Sequence, residues 1–176
     1  MGSLADLTPA IALGALDGRY RGAVASLVDH LSEPALNRAR VRVEIEWLIH
    51  LTDQQVVPGV RRLTDAEKDA LRAIVEDFGA AEIEEMAATE RVTQHDVKAV
   101  EYFLKKRLTA IAPSAEDAGL AELIHFCCTS EDINNLSYAL MVQGAVEDVW
   151  LPRATALVEK VATMASDLRE VPLLAH

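Results

Sequence analysis

The stretch from His125 to Asn135, which reads HFCCTSEDINN, decides the fold of this chain. Shorter amphipathic segments precede it, and a long, mostly apolar helical pattern follows it. Thr129 and Ser130 stand at the junction, where a hydroxyl oxygen accepts a hydrogen bond from an unpaired backbone N–H. Glu131 and Asp132 come next, in the first turn, where carboxylates complement the helix dipole. The stretch therefore predicts the capped start of a long helix.

This predicted helix start has two interpretations. Free backbone N–H groups at a helix N-terminus attract anions, and neighbouring hydroxyls supply further donors. Thr129 and Ser130 are therefore candidate ligands for a carboxylate or a phosphate. The alternative is a well-capped helix that binds nothing, and the residues alone leave both interpretations open.

Composition and charge bound the class of protein. The chain has 176 residues, of which 51% are hydrophobic, and this suits one domain or one domain and part of another. The formal net charge of −11 disfavours nucleic acid as a partner, because an acidic chain repels phosphate backbones. No stretch approaches the roughly 18 uncharged apolar residues of a membrane helix, so no membrane association is predicted.

The N-terminus and the cysteines favour a cytoplasmic protein. No basic region followed by an apolar run opens the chain, as a secretory signal would. Cys127 and Cys128 are adjacent, which argues against a disulfide framework and for reduced thiols. The pair also lacks the spacing of metal ligands, so no bound metal is expected.

Hydrophobic periodicity predicts an all-α fold. Apolar residues recur at helical spacing, and polar caps, prolines and glycines separate the segments. Ser32 and Thr64 are predicted N-caps, and Thr64 forms a capping-box pattern with Glu67. The predicted helices cover about residues 24–31, 33–52, 65–78, 80–89, 93–108, 120–126 and 130–150, and another follows Pro152.

The run after Pro152 has a heptad pattern. Its apolar residues lie three and four positions apart, at Leu151, Ala154, Val158, Val161, Ala165 and Leu168. Near-parallel helices in a left-handed bundle show this pattern. We therefore interpret the stripe as core or subunit interface.

Four polar clusters fall at turns or helix starts, where backbone donors are free. They are Arg19 with Tyr20, Gln94–Asp96, His125, and Thr129–Asn134. Arg19 and Tyr20 follow an Asp-Gly turn signal, and a guanidinium offers a planar fork of donors to a phosphate. His95, predicted in the first turn of a helix capped by Thr93, is a candidate proton carrier or anion donor. Each cluster also has a purely structural interpretation.

The sequence lacks the motifs that hold common cofactors. It has no Gly-rich phosphate loop, no nucleophile elbow and no metal signature. The polar clusters together predict a site for a polyanionic small molecule that works without a cofactor or a metal.

Several segments carry a resemblance to a known family. They are Asp17–Tyr20 (DGRY), Val43-Glu44 with Trp47-Leu48, His95–Leu104 (HDVKAVEYFL), and His125-Phe126 with Cys128–Ser137 (CTSEDINNLS). At these residues the chain closely resembles adenylosuccinate lyase of the bacterial type, in the fumarase/aspartase superfamily. TSEDINN is one of the signature regions of that superfamily. Two departures are that Gly14-Ala15 replaces a usual Ser-Pro and that Gln94 stands where Asn is common.

The resemblance implies a β-elimination in purine biosynthesis. The family cleaves adenylosuccinate to AMP and fumarate, and it treats the succinylated carboxamide ribotide likewise. A base removes a proton next to a carboxylate, and an acid protonates the departing nitrogen. The resemblance further implies an N-terminal helical domain over residues 1–128, the first helices of a truncated central bundle over 129–176, and a homotetramer.

The resemblance also assigns roles to the polar clusters. Arg19 and Tyr20 would bind the nucleotide side of the substrate, and His125 would lie by the phosphate. A second group would line the reacting end of the site: Gln94, His95 and Asp96, with His95 near the proton-transfer centre, and Thr129 and Ser130, which would grip the succinyl carboxylate.

By the same resemblance, the chain is expected to be catalytically incomplete alone. The general acid of the family is a His that follows a stretch like residues 171–176, and its serine base lies much farther on. The alternative is a helical interaction module that kept the fold without the chemistry, with the heptad stripe as its partner surface.

Overall fold

Every regular element of the described chain is helical. The structure is a computed structural model that describes residues 13–113, 118–172 and 174. Its helices are α1 (Val28–Leu31), α2 (Glu33–Asp53), α3 (Asp65–Glu76), α4 (Ala80–Thr93), α5 (Asp96–Ile111), α6 (Ala118–Ala121), α7 (Ser130–Gly144) and α8 (Leu151–Asp167). A 3₁₀ turn, Ala25–Leu27, precedes α1, and a π-helical turn, Ala145–Trp150, joins α7 to α8. These residues contain no strand, which confirms the all-α prediction.

The chain divides into two compact units. One is Asp29–Met141, and the other combines Met1–Val28 with Val142–His176. The domain boundary after residue 128 stays a prediction.

Helix α2 forms much of the core of the unit Asp29–Met141. Ser32 caps it, since the Ser32 Oγ accepts the Ala35 N–H at 3.2 Å. Helix α2 buries a wide apolar face, which includes Val41, Ile45 and Leu48, and it packs against α3 and α5. Full burial of each such side chain contributes about 1.5–3 kcal/mol.

The capping box predicted for α3 is present. The backbone N–H and the hydroxyl of Thr64 donate to Glu67 Oε2 at 2.7 and 2.9 Å, and the Glu67 N–H donates back to Thr64 Oγ1 at 3.3 Å. Arg61 donates to both oxygens of Glu67. These bonds, that of Arg61 first, lower the pKa of Glu67 to about 2.

The boundary between α4 and α5 differs from the prediction. Thr93 is the last residue of α4 and not the cap of α5. Gln94 adopts a left-handed φ of +53° and ends α4, while His95 is extended and is itself the N-cap of α5. A left-handed residue breaks a helix sharply, so the two helices need only this short junction.

The predicted helix over residues 120–126 is wrong. Helix α6 covers only Ala118–Ala121, and turns continue to Cys127. His125 and Cys127 have φ values of +63° and +58°, which lie outside right-handed helix. His125 therefore stands on a turn and not on a helix.

A π-helical turn leads into α8, in the second unit. The Leu151 N–H bonds to the Val146 carbonyl five residues earlier, and Pro152 occupies the first turn of α8. In a regular α-helix the proline ring would clash with the carbonyl four residues before it, so the wider turn makes room for it.

The heptad stripe on α8 is exposed in this single chain. Helix α8 buries none of its residues, and Val158 and Val161 are 68% and 57% exposed. Within the same unit, Arg153 donates to the Ala23 carbonyl at 3.3 Å and to Ser26 Oγ at 2.9 Å. None of the described helices combines the length and the apolar character that crossing a membrane requires.

Candidate functional site

Charged side chains interrupt the buried face of α2 in the unit Asp29–Met141. Arg40 is 4% exposed and Glu44 is 0% exposed. Arg40 and Glu44 are four residues apart and Trp47 follows three later, so their side chains lie along one side of the helix. We call these three residues the α2 polar row. Each of them binds a segment that contains or adjoins a predicted site residue.

Arg40 joins the start of α5 to the start of α7. Its Nη2 donates to Asp96 Oδ2 at 2.6 Å, and its Nε donates to Asn134 Oδ1 at 2.9 Å. The remaining Nη1 donates to Asn37 Oδ1 at 3.1 Å, within α2. A single buried guanidinium therefore holds two of the predicted polar clusters, Gln94–Asp96 and Thr129–Asn134.

The Asp96 carboxyl is held in its ionised form. Partial burial raises its pKa, but the hydrogen bond from the Val97 N–H and the guanidinium of Arg40 outweigh this effect, and the pKa lies below its ordinary value. Its side chain is about half exposed. Asp96 can thus present a negative charge to a ligand while it remains fixed to α2.

Glu44 binds His125 twice. Its Oε2 accepts the backbone N–H of His125 at 3.0 Å, and its Oε1 lies 2.6 Å from His125 Nδ1. Burial raises the pKa of Glu44 above its ordinary value, although the bonds to His125 act in the opposite direction. The carboxylate therefore fixes both the backbone and the ring of His125.

The third residue of the polar row holds the turn that follows His125. Trp47 Nε1 donates to the Phe126 carbonyl at 2.9 Å. The Trp47 indole also stacks on the ring of His50, with the ring centroids 5.7 Å apart. Trp47 is partly buried at the edge of the core, and its indole N–H is committed to this turn.

His95 uses one of its ring nitrogens to cap α5. Its Nδ1 accepts the Lys98 N–H at 3.2 Å, which is the cap of α5. An accepting Nδ1 requires the proton of the neutral ring to sit on Nε2. The side chain is 51% exposed, and the Nε2–H is the donor that the neutral ring has left for a ligand.

The side chain of Gln94 turns back toward α4. Its Nε2 donates to the Arg91 carbonyl at 2.7 Å. Gln94 also lines a shallow depression of about 330 Å³ with Ala87, Glu90 and Arg91. A larger groove of about 540 Å³ between α4 and α5 contains Thr93 but none of the predicted site residues.

Thr129 is the N-cap of α7, as predicted. Its backbone N–H and its hydroxyl donate to Asp132 Oδ2 at 2.7 and 2.9 Å, and the Asp132 N–H donates to Thr129 Oγ1 at 3.4 Å. The bonds from Thr129 lower the pKa of Asp132. Ser130, the first residue of α7, is partly exposed. The helix start thus carries a reciprocal cap, and its role as an anion site stays a prediction.

Arg19 and Tyr20 belong to the unit that combines Met1–Val28 with Val142–His176. The guanidinium of Arg19 lies 4.6 Å from the centroid of the Tyr20 ring, and the Tyr20 N–H donates to the Ala15 carbonyl at 3.0 Å. Tyr20 is exposed. The turn predicted from Asp17-Gly18 is present, since the Gly18 N–H donates to the Gly14 carbonyl at 2.9 Å. The grouping of these two residues with the other clusters stays a prediction.

Sequence reasoning missed Arg40 and the role of Glu44. Both are charged residues in the most apolar part of α2, beside Val41, Val43 and Ile45. A charge on an otherwise buried helix row was the available signal, because such a charge needs a partner. Within the described residues, no group of three or more His, Cys, Asp or Glu side chains is arranged to hold a metal ion.

Known proteins match nearly the whole chain. Residues 18–176 match the family described as lyase. The adenylosuccinate lyase of Haemophilus influenzae is 40% identical over 170 residues, and that of Escherichia coli strain K12 is 39% identical over 171 residues. The adenylosuccinate lyase of Buchnera aphidicola subsp. Acyrthosiphon pisum is 32% identical over 170 residues. Each alignment covers 97% of this chain and 37% of the relative.

These matches confirm the resemblance inferred from the sequence motifs. The chain spans little more than a third of the length of these curated relatives, at 37%. With residues 18–176 matched, the chain belongs to the lyase family.

Proposed function

We propose that this chain is the N-terminal part of an enzyme that cleaves adenylosuccinate to AMP and fumarate, and the succinylated carboxamide ribotide likewise. The observation that carries the proposal is the α2 polar row, which binds Asp96, His125 and Asn134 from one buried helix face. Relatives called adenylosuccinate lyase, 39–40% identical to the chain, supply the reaction. The setting of this reaction would be purine biosynthesis in the cytoplasm.

The geometry of His95 suits a place near proton transfer. In the β-elimination the departing nitrogen gains a proton and a carboxylate gains negative charge. The neutral His95 ring donates through Nε2, because Nδ1 is occupied by the Lys98 N–H. We assign His95 to hydrogen-bond donation at the reacting end, with Gln94 and Asp96 lining the same end.

The remaining candidates are assigned to the anionic groups of the substrate. Arg19 and Tyr20 would bind the nucleotide side, and His125 would lie by the phosphate. Thr129 and Ser130 would grip the succinyl carboxylate at the N-terminus of α7, where the helix dipole favours an anion.

The main general acid and base are proposed to lie outside this chain, in an enzyme assembled as a homotetramer. The exposed stripe on α8 supports association, since a row of apolar residues at heptad spacing is expected to pack against another helix. Substrate sites built from several subunits would then need neighbouring copies.

The test is an elimination assay that follows adenylosuccinate by ultraviolet absorbance. The complete protein encoded by the reading frame that contains these residues is expected to turn over the substrate. The change H95A should lower kcat/KM by about 100-fold or more, as expected when a hydrogen-bond donor to the developing charge is lost. A complete protein that is folded and inactive would contradict the proposal, and turnover by the 176 residues alone would contradict the claim of incompleteness.

A second candidate function is a helical interaction module without catalysis. The exposed α8 stripe favours it, because that surface needs only a partner and no substrate. A stop codon directly after His176, together with self-association and no turnover, would support this alternative. A continuing frame with enzymatic turnover would exclude it.

A further inference from the structure

Glu44 is a fully buried carboxylate that devotes both of its oxygens to one residue. It is 0% exposed, and its oxygens bind the backbone N–H and lie 2.6 Å from the Nδ1 of His125, 81 positions away in sequence. Removing a carboxylate from water is unfavourable, and a buried ion pair can often be replaced as a whole by hydrophobic residues of similar volume without loss of stability. A role other than stability is therefore a reasonable explanation for a charge at this position.

The two bonds determine what His125 presents to its surroundings. The backbone bond stabilises the left-handed conformation of His125, whose φ is +63°. When Glu44 is ionised it only accepts hydrogen bonds, so the Nδ1 that lies 2.6 Å from its Oε1 then carries a proton. Nε2 lies on the opposite edge of the ring and is directed away from Glu44. The His125 side chain is 18% exposed, so it is not fully enclosed by the protein.

We propose that Glu44 is a positioning residue that holds the His125 ring with Nδ1–H toward α2 and Nε2 toward the phosphate of the bound nucleotide. When the ring is charged, the carboxylate balances the imidazolium while Nε2–H donates to a phosphate oxygen. The identity of the ligand as a nucleotide rests on the proposed function, whereas the orientation and tautomer of His125 do not.

The tautomer is measured on the 176-residue chain by long-range ¹H–¹⁵N spectroscopy of its histidines at a pH where the ring of His125 is neutral. Wild-type His125 is expected to show a protonated Nδ1 and an unprotonated Nε2. The reverse pattern would overturn the proposal, and this measurement needs no variant to fold.

The variant E44Q tests whether Glu44 determines the tautomer of His125. A glutamine amide has one accepting oxygen, which the His125 N–H occupies, so its NH₂ faces Nδ1 and requires Nδ1 to accept. We expect His125 to switch to the Nε2–H tautomer. The matched control is E46Q, because Glu46 lies two residues away on α2 but is exposed and bonded to Arg72. A tautomer unchanged in E44Q, or changed equally in E46Q, would contradict the role of Glu44.

The consequence for substrate is measured in the complete protein. E44Q is expected to raise KM for adenylosuccinate by about ten-fold, the equivalent of one charge-assisted hydrogen bond, with a smaller change in kcat. E46Q should leave both constants unchanged, and a wild-type KM in E44Q would overturn the proposal. If the wild-type complete protein fails to cleave adenylosuccinate, the proposed function fails, while the tautomer of His125 still decides the role of Glu44.

Discussion

Arg40 and Glu44 are opposite charges placed one helical turn apart on the buried face of α2. A pair at this spacing on an exposed helix contributes only about 0.2–0.5 kcal/mol, far less than the several kcal/mol needed to bury each ion. Their value must come from Asp96, Asn134 and His125, the groups that they bind. At the residue scale, the buried charges thus organise the candidate site more than they stabilise the fold.

Replacing Arg40 tests this organisation. We expect R40M to lower the free energy of unfolding by about 2–3 kcal/mol, since it leaves Asp96 and Asn134 without their donor, although the half-exposed Asp96 can regain water. Urea denaturation of the chain measures the change. The control R72M removes an exposed pair with Glu46, and about 1 kcal/mol or less is expected there. Equal losses in the two variants would contradict the buried role of Arg40.

At the scale of the helices, capped N-termini are a recurring feature. Ser32, Thr64, His95 and Thr129 each accept a backbone N–H near the beginning of the helix that follows. Such caps satisfy donors that the helix itself leaves unpaired. Two of these starts also carry predicted site residues, so local helix chemistry and the candidate site share the same atoms.

The cap of α3 predicts a stability that depends on pH. The pKa of Glu67 is about 2 when folded, against 4.5 for a free side chain, so its contribution is present above about pH 4.5 and is lost as the pH falls toward 2. E67Q should therefore cost about 1–2 kcal/mol at neutral pH and progressively less on acidification. Denaturation at a series of pH values measures the difference.

A background without Arg61 provides the control for that experiment. Arg61 donates two hydrogen bonds to Glu67, at 2.7 and 2.9 Å, and is the largest cause of the lowered pKa. The pH dependence of the E67Q effect should therefore shrink in R61M. An effect of E67Q that does not vary with pH in the wild-type background would contradict the pairing.

Two substitutions at Thr129 test whether its hydroxyl stabilises α7 as a cap. T129S keeps the hydroxyl that bonds Asp132 and should change the free energy of unfolding by less than about 0.5 kcal/mol, whereas T129A should cost about 1 kcal/mol. Thermal or urea unfolding of the chain compares the two variants. If T129A proves as stable as T129S, the reciprocal cap contributes nothing and the hydroxyl requires another explanation.

The helix starts also show which structural features can be predicted from the sequence. Ser32, Thr64 and Thr129 are predictable because the residue type and its local partner identify an N-cap. The junction of α4 and α5 is not, since Gln94 takes a left-handed conformation in which glycine is usual. The conformation of His125 depends on Glu44, which is 81 residues away. Local patterns thus predict caps, whereas the orientation of site residues requires the tertiary contacts of α2.

At the scale of the whole molecule, the stripe on α8 is an apolar surface that no other described segment buries. Its valines are more than half exposed in the single chain, and contiguous apolar surface of this kind favours association. The helix that the heptad spacing predicts is present as α8, Leu151–Asp167. The sequence of one chain does not identify the partner that covers the stripe.

Self-association tests the stripe. Sedimentation velocity is expected to show that the chain forms dimers or larger assemblies at micromolar concentration. V158E places a charge on the stripe and should shift the chain toward monomer. T163E places the same charge off the stripe of the same helix and should leave the assembly intact. A wild-type chain that sediments as a monomer would contradict the prediction.

The π-helical turn at Ala145–Trp150 has a consequence for chain length. A wide turn holds about one residue more than a turn of α-helix, so it absorbs a spare residue without rotating what comes after. In a homologue that lacks one residue there, the turn would become regular α-helix, and the stripe that follows would still face the same direction. A deletion inside α8 would instead swing every later side chain by about 100°.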